Sequence, residues 1–389
     1  MKIANRMEKL APSLTLSITA LANELKAAGK DILSFSAGEP DFDTPQVVKD
    51  AAIKAINEGK TKYTAVEGIK ETKQAIINKL KKDHNLDYTL DKIVISNGAK
   101  HSLFNLAQAL IDEGDEVIIP SPYWVTYPEL VVYSGGVPVF IETDESTEFK
   151  ITAKQLKEKI TPKTKILMLN SPSNPTGSIY SKDELLAIGE VLKGTDIIVL
   201  SDEMYEKLIY KGKKFTATAE VSPDMYNRTV TINGLSKSVA MTGWRFGYVA
   251  CPNSALAKAM SKLQGQVTSN VNSMTQYAAI VALEGEANKD IEMMRVEFEK
   301  RKDYAVKAIN NISKLSCYDP DGAFYLFINI KKYSNDSMKF CADLLENKGV
   351  ALVPGLAFGM EGYVRLSFAT SMKAIEDGIN RIKEFVEKR

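Results

Sequence analysis

The sequence predicts an α/β fold: a mostly parallel sheet with helices on both faces, followed by a smaller α+β domain. Three observations lead there. Short apolar runs, several of them β-branched, alternate with stretches of helical period from Thr44 onward, the pattern of a sheet covered on both sides. Near residue 285 the character changes to a long charge-rich helical stretch followed by mixed strands and helices. The 389 residues also exceed the roughly 100–200 of a single typical domain. The expected division is a segment 1–45 that packs with the small domain, a large domain 46–285 and a small domain 286–389.

In chain order, Thr44-Pro45 reads as N-cap and first helical residue, with Val47, Val48, Ala51, Ala55 and Ile56 at helical spacing behind them. Ile69 to Lys82 is expected as a second helix. Ile93 to Ser96 reads as a strand, then Asn97-Gly98 and a helix from about Lys100 to Ile111. Val117 to Ile119, Val137 to Ile141 and Lys165 to Leu169 read as strands. Ser181 with Glu184 forms a capping box that opens a helix to about Leu192. Ile197 to Leu200, Thr229 to Ile232 and Tyr248 to Ala250 are further strands. The second part reads as a helix at Lys289 to Asn311, a strand at Phe324 to Ile330, a helix at Met338 to Asn347, a strand at Tyr363 to Ser367 and a helix at Met372 to Lys388.

Composition removes several classes of function. Hydrophobic residues make up 44% and charged residues 25%, ordinary for a globular protein. Fifty basic against 49 acidic residues give a net charge of +1, too weak for a nucleic-acid binder, which shows a basic excess. No apolar run approaches the ~18–20 residues of a membrane span, and MKIANRMEKLAPSL lacks the apolar core of a secretion signal. Cys251, Cys317 and Cys341 are scattered without CxxC spacing, which argues against a disulfide framework or thiolate metal site and fits a reducing, cytoplasmic setting. With only His84 and His101 present, no metal is expected and a His-dependent triad is disfavoured. Catalysis is left to Lys, Asp, Tyr, Arg or a cofactor.

Four stretches are poorly explained as packing. Lys237 follows a buried strand in a small and polar loop, with Arg245 eight residues on between Gly243 and Gly247. A surface lysine is the ordinary alternative, but glycines permit close backbone approach and arginine presents a fork for phosphate or carboxylate. Asn174-Pro175-Thr176-Gly177 is a common turn, yet it lies at the carboxyl end of a strand, where α/β proteins bind ligands. Asp202 and Tyr205 lie past another strand end, where Asp202 could equally cap a turn. Ser96-Asn97-Gly98-Ala99-Lys100 leads a strand into a helix whose first N–H groups make an anion site; the dinucleotide GxGxxG is absent. A lysine for a Schiff base, an aspartate for a pyridinium nitrogen, Tyr and Asn for a phenolic oxygen, and a helix start with an arginine for a phosphate together describe pyridoxal 5′-phosphate.

The chain also resembles the class I aminotransferases of pyridoxal-phosphate fold type I, in particular the bacterial aspartate aminotransferases of the subgroup that includes prephenate aminotransferases. The resemblance runs through SAGEPDFDTP (36–45), KYTAVEG (62–68), SNGAKHSLFNL (96–106), SPYWVTYPE (121–129), NSPSNPTG (170–177), SDEMYE (201–206), SKSVAMTGWRFGY (236–248), GAFY (322–325) and VRLSFATS (364–371). It implies that Lys237 bears the cofactor, that Asp202 pairs with the pyridinium nitrogen and that Tyr205 donates to the phenolic oxygen. Asn174 would contact that oxygen and the substrate carboxylate, and Trp124 would stack on the ring. Arg245 and the amides of Ala99 and Lys100 would hold the phosphate, with Ser236 a weaker candidate. Tyr63 would reach the phosphate of the other subunit of a homodimer; the alternative is a core tyrosine. Arg365 would pair with the substrate α-carboxylate beside the Gly38 amide, and Lys100 and Thr15 would take a distal carboxylate.

The sequence departs from this pattern at two places. Gly234 stands where many relatives carry a phosphate-binding hydroxyl, and Ala11 precedes Pro12 where relatives active on prephenate tend to carry lysine. The resemblance implies transfer of the amino group of L-aspartate to 2-oxoglutarate. The alternatives are an aromatic or broad-range aminotransferase, prephenate included, a β-lyase, or a regulatory protein that has lost catalysis.

Overall fold

The computed structural model describes residues 3–387. A helix at Leu14–Ala27 leads into a two-residue strand, β1 (Leu33–Ser34). The large sheet follows: β2 (Ile93–Asn97), β3 (Glu116–Ser121), β4 (Val137–Glu142), β5 (Thr164–Asn170), β6 (Ile198–Asp202), β7 (Thr229–Gly234) and β8 (Phe246–Ala250). Its seven strands run in the order β2-β8-β7-β6-β5-β3-β4. β4, β3, β5, β6 and β7 pair parallel, whereas β8 runs antiparallel to both β7 and β2. The mostly parallel sheet expected from the sequence is therefore present.

Both faces are covered, which is why its strands read as continuous apolar runs. In β2, Ile93 and Ile95 join a cluster with Val48, Ala52, Ile76 and Leu80 of the helices Gln46–Asn57 and Lys70–His84. Val94, pointing the other way, joins Leu103 and Leu106 of the helix Ala99–Leu110. Helix Lys182–Leu192 opens on the expected box, Ser181 accepting from the Glu184 amide while Glu184 accepts from the Ser181 amide. At Thr44-Pro45 the cap lies one residue later than expected, at Pro45. The Thr44 hydroxyl is used instead to donate to the Ala240 carbonyl and to accept from the Trp244 indole N–H.

After the long helix Asn288–Asn310 come β9 (Ser316–Cys317), β10 (Tyr325–Asn329), β11 (Val350–Ala351), β12 (Val353–Pro354) and β13 (Tyr363–Ser367). Four of these form an antiparallel sheet in the order β12-β13-β10-β9, with Arg365 opposite Phe327 and Val353. β11 pairs in parallel with β1, joining the N-terminal segment to the C-terminal part. The last helix is Met372–Glu387; the expected end at Lys388 lies outside the described residues. Among the described residues no helix is long and apolar enough to cross a membrane.

Candidate active site

The carboxyl ends of β5, β6 and β7, the amino end of helix Ala99–Leu110 and the middle of β13 converge on one cavity of about 430 Å³, within the usual range of small-molecule sites. Thr15, Gly38, Ala99, Lys100, Trp124, Asn174, Asp202, Tyr205, Ser236, Lys237, Arg245 and Arg365 all line it. Tyr63 does not. It stands on the surface, 90% exposed, which removes the core-tyrosine alternative.

Asp202 ends β6 on the cavity floor, where its Oδ2 accepts a 2.8 Å hydrogen bond from the Tyr127 hydroxyl and its Oδ1 accepts from the Met204 amide. Burial raises its carboxyl above the usual range, and these two donors only partly offset this. Asp202 has no ion-pair partner among the described residues, so the floor offers a desolvated carboxylate to a cation. The Tyr205 and Tyr325 hydroxyls lie 2.8 Å apart. Burial first, and then the neighbouring Tyr325, keep Tyr205 well above its usual pKa, so it is a neutral donor.

Lys237 follows β7 and hydrogen-bonds through Nζ to the Gly38 carbonyl. Loss of hydration pushes its amine down to about 8; Arg365 and Arg245 push the same way, while Glu39 and Asp202 oppose them. At the far side, Gly98 adopts φ +84° immediately before the Ala99 amide. A Cβ on Gly98 would lie 2.4 Å from Nη2 of Arg245, so only glycine lets the guanidinium close on the helix start. Arg245 itself takes φ +57°, and its Nη1 donates to the Thr242 carbonyl. The free N–H groups of the helix's first turn and the Arg245 guanidinium meet there. The Lys100 amine sits 4.9 Å from the Trp124 ring centre, and partial burial, then repulsion from Arg245, lower its pKa. Arg245 and the helix N-terminus form an anion site, and the Lys100 amine is a separate cation lining the same cavity.

Arg365 is 3% exposed. Its Nη1 donates to Asn174 Oδ1 at 2.9 Å and its Nη2 to the Ser36 carbonyl at 2.8 Å. The guanidinium lies over the Tyr325 ring at 4.4 Å and the Phe358 ring at 5.0 Å. Nε is buried without a partner, and no carboxylate pairs with Arg365 among the described residues. Asn174 is fixed in turn by its amide, which donates to Asn170 Oδ1 at 2.8 Å. The Thr15 hydroxyl lies 2.9 Å from that of Ser13, and Thr15 and Lys100 both line the cavity.

Sequence reasoning passed over Tyr127, Tyr325, Asn170 and Ser36, which support Asp202, Tyr205, Asn174 and Arg365. The first two lie inside SPYWVTYPE and GAFY, but an aromatic in an apolar run reads as core. Taken together, the cavity offers an anion site at one end, a carboxylate for a ring cation, a neutral phenol, a lysine with a lowered pKa and a buried guanidinium. That donor set fits pyridoxal 5′-phosphate with an amino acid beside it.

Comparison with known proteins agrees. The family model for aminotransferase class I and II matches residues 30–382. Aspartate aminotransferase of Geobacillus stearothermophilus is 50% identical over 394 aligned positions, covering 100% of both chains. The aspartate/prephenate aminotransferase of Nitrosomonas europaea is 47% identical, covering 98% of this chain and 99% of its own. The crystal structure of the aspartate aminotransferase from Rhizobium meliloti superposes with a TM-score of 0.95 at 42% identity, covering 98% of each chain. The match of sequence and fold over nearly the whole chain places it in the class I and II aminotransferase family, as a pyridoxal-phosphate enzyme.

Proposed function

We infer that the enzyme transfers the amino group of L-aspartate to 2-oxoglutarate, giving oxaloacetate and L-glutamate, as a cytoplasmic homodimer. The observation that carries the reading is Arg365, a buried guanidinium with no carboxylate partner among the described residues, in a cavity also lined by a second cation, Lys100. A substrate with two carboxylates satisfies both.

When bound, the cofactor supplies an aldehyde for the substrate amine and a ring that accepts the electron pair left at Cα. The chain supplies the rest. Arg365 presents its fork to the α-carboxylate and fixes which Cα bond faces the ring. Trp124 offers an apolar plane. Lys237, with its amine near 8, carries enough neutral form near neutral pH to take the Cα proton as general base and would return it to the cofactor's aldehyde carbon, on the far side of the substrate nitrogen. Asp202 would balance a protonated ring nitrogen, Tyr205 and Asn174 would serve the phenolic oxygen, and Arg245 with the Ala99 and Lys100 amides would hold the phosphate.

The test compares wild type, Arg365→Lys and Lys100→Ser with aspartate and with phenylalanine, following conversion of the cofactor spectroscopically. Arg365→Lys keeps the charge and loses the fork, so kcat/KM falls for both amino acids alike. Lys100→Ser lowers kcat/KM for aspartate by roughly ten- to a hundredfold, the worth of one charge-assisted hydrogen bond, and spares phenylalanine. Equal losses for both substrates in Lys100→Ser would assign that lysine to the phosphate and withdraw the aspartate reading.

A further inference from the structure

The turn that carries Asp202 and Tyr205 toward the cavity carries two glutamates away from it. Glu203 and Glu206 each follow a site residue by one position, and both are buried. Glu203 accepts from the Ser201 hydroxyl at 2.9 Å and the Thr218 amide at 3.0 Å. Glu206 reaches further. Its Oε1 pairs with Lys79 Nζ and its Oε2 lies 2.9 Å from His84 Nε2. His84 Nδ1 is in turn 3.3 Å from Glu220. Lys79 and His84 belong to the last turns of helix Lys70–His84, whose Ile76 and Leu80 are packed in the core. The partners of Glu206 are therefore tied to a rigid element.

Asp83, His84 and Glu206 also lie close enough to share a metal ion. Ammonium groups already fill that place, since Lys79 is paired with Glu206 and Lys207 lies 2.6 Å from Asp83. A buried carboxylate is costly unless paired, and here the pairing crosses from the site's turn to a helix on the opposite side of the sheet. The geometry points to Glu206, clamped by Lys79 and His84, as a positioning residue for Tyr205: it locks the turn so that the Tyr205 hydroxyl keeps its place in the cavity. This rests on the reading of Tyr205 as a donor to the phenolic oxygen of the cofactor. The competing view is that front-side packing alone places Tyr205, whose ring meets Phe324 edge-on at 5.4 Å.

The test uses holoenzyme and the absorbance titration of the cofactor bound to Lys237, with single-turnover reaction with aspartate alongside. Glu206→Gln preserves size and loses the charge. The variants are Glu206→Gln, His84→Gln, Tyr205→Phe and the Tyr205→Phe/Glu206→Gln double. Loss of a donor to a phenolate raises the chromophore's pKa, and Tyr205→Phe is expected to raise it by about one unit. Glu206→Gln moves it in the same direction and slows the half-reaction about tenfold, as a small misplacement of a working group does. The double variant is no worse than Tyr205→Phe alone, because Glu206 acts through that hydroxyl. A shift in Tyr205→Phe with none in Glu206→Gln, or losses that multiply in the double variant, would overturn the proposal. No shift in Tyr205→Phe itself would instead overturn the reading of Tyr205 on which it stands. If Glu206→Gln does not fold, His84→Gln, which removes one of the two clamps, gives the same readings.

Discussion

An ammonium group that loses hydration without gaining a close carboxylate is destabilised, and Lys237 is in that position. The unfolded chain holds the Lys237 proton with the ordinary lysine pKa of ~10.4; the folded chain holds it at about 8. Between those values the unfolded chain binds more protons, so stability rises with pH across that window. Below about 8 both states are protonated and the penalty is present in full. The cofactor-free Lys237→Met chain is thus expected to be more stable than wild type at pH 7, by roughly 1–3 kcal/mol once partial exposure is allowed for. The gain shrinks as pH rises from 8 toward 10.5. Urea titrations of both chains at pH 7 and pH 10 check this; a difference that does not vary with pH would mean that the lysine is not strained by burial. Lys237 is legible in the sequence because it is a charge set just after a buried strand, whereas Arg365 is reached through the resemblance carried by VRLSFATS. What the sequence does not display is that the two lie around the same cavity, with Tyr325 and Asn174 beneath and beside the guanidinium.

At the scale of elements, the strands were legible because burial on both faces makes them continuous apolar runs, and helix Lys182–Leu192 because its capping box is local chemistry. Helix Leu14–Ala27 was not, since Ala22 is its one buried residue and a helix exposed nearly all round shows no apolar stripe. The two-residue strands β1, β9, β11 and β12 are too short to display a period. The anion end of the site depends on one contact between elements. Gly247 in β8 lies against the start of helix Ala99–Leu110, and a Cβ there would sit 2.3 Å from the Ala99 nitrogen and 2.5 Å from the Gly98 carbonyl carbon. These are backbone atoms, so the helix start itself must shift. Gly247→Ala is expected to cost about 1–3 kcal/mol in overpacking and to weaken cofactor binding by roughly tenfold or more, measured by fluorescence titration of the cofactor-free chain. Gly243→Ala, whose Cβ would meet nothing within 4 Å, is the control and leaves both unchanged.

For the whole molecule, the division at residues 46 and 286 and the homodimer are proposals. The pairing of β1 with β11 supports the first, because it ties the N-terminal segment to the C-terminal part of the chain. Tyr63 supports the second. An aromatic residue 90% exposed on a segment pinned by buried side chains is poorly explained within one chain. Gln276 accepts from the Ile69 amide and donates to Thr64, and Gln264 donates to the Val66 carbonyl. The loop is thus held outward in a fixed shape, available to a second copy. If Tyr63 completes the phosphate site of the partner subunit, its loss is felt only in the other chain. Co-expression of wild type with a differently tagged chain carrying both Tyr63→Phe and Lys237→Ala isolates a heterodimer. Its single Lys237 then faces a phenylalanine from across the interface. Cofactor affinity at that site is expected to fall roughly tenfold or more, the worth of a hydrogen bond to a charged group. A heterodimer of wild type with Lys237→Ala alone keeps the full affinity. Equal affinity in the two heterodimers would confine Tyr63 to the surface of its own chain and leave the phosphate to Arg245 and the amides of the helix start.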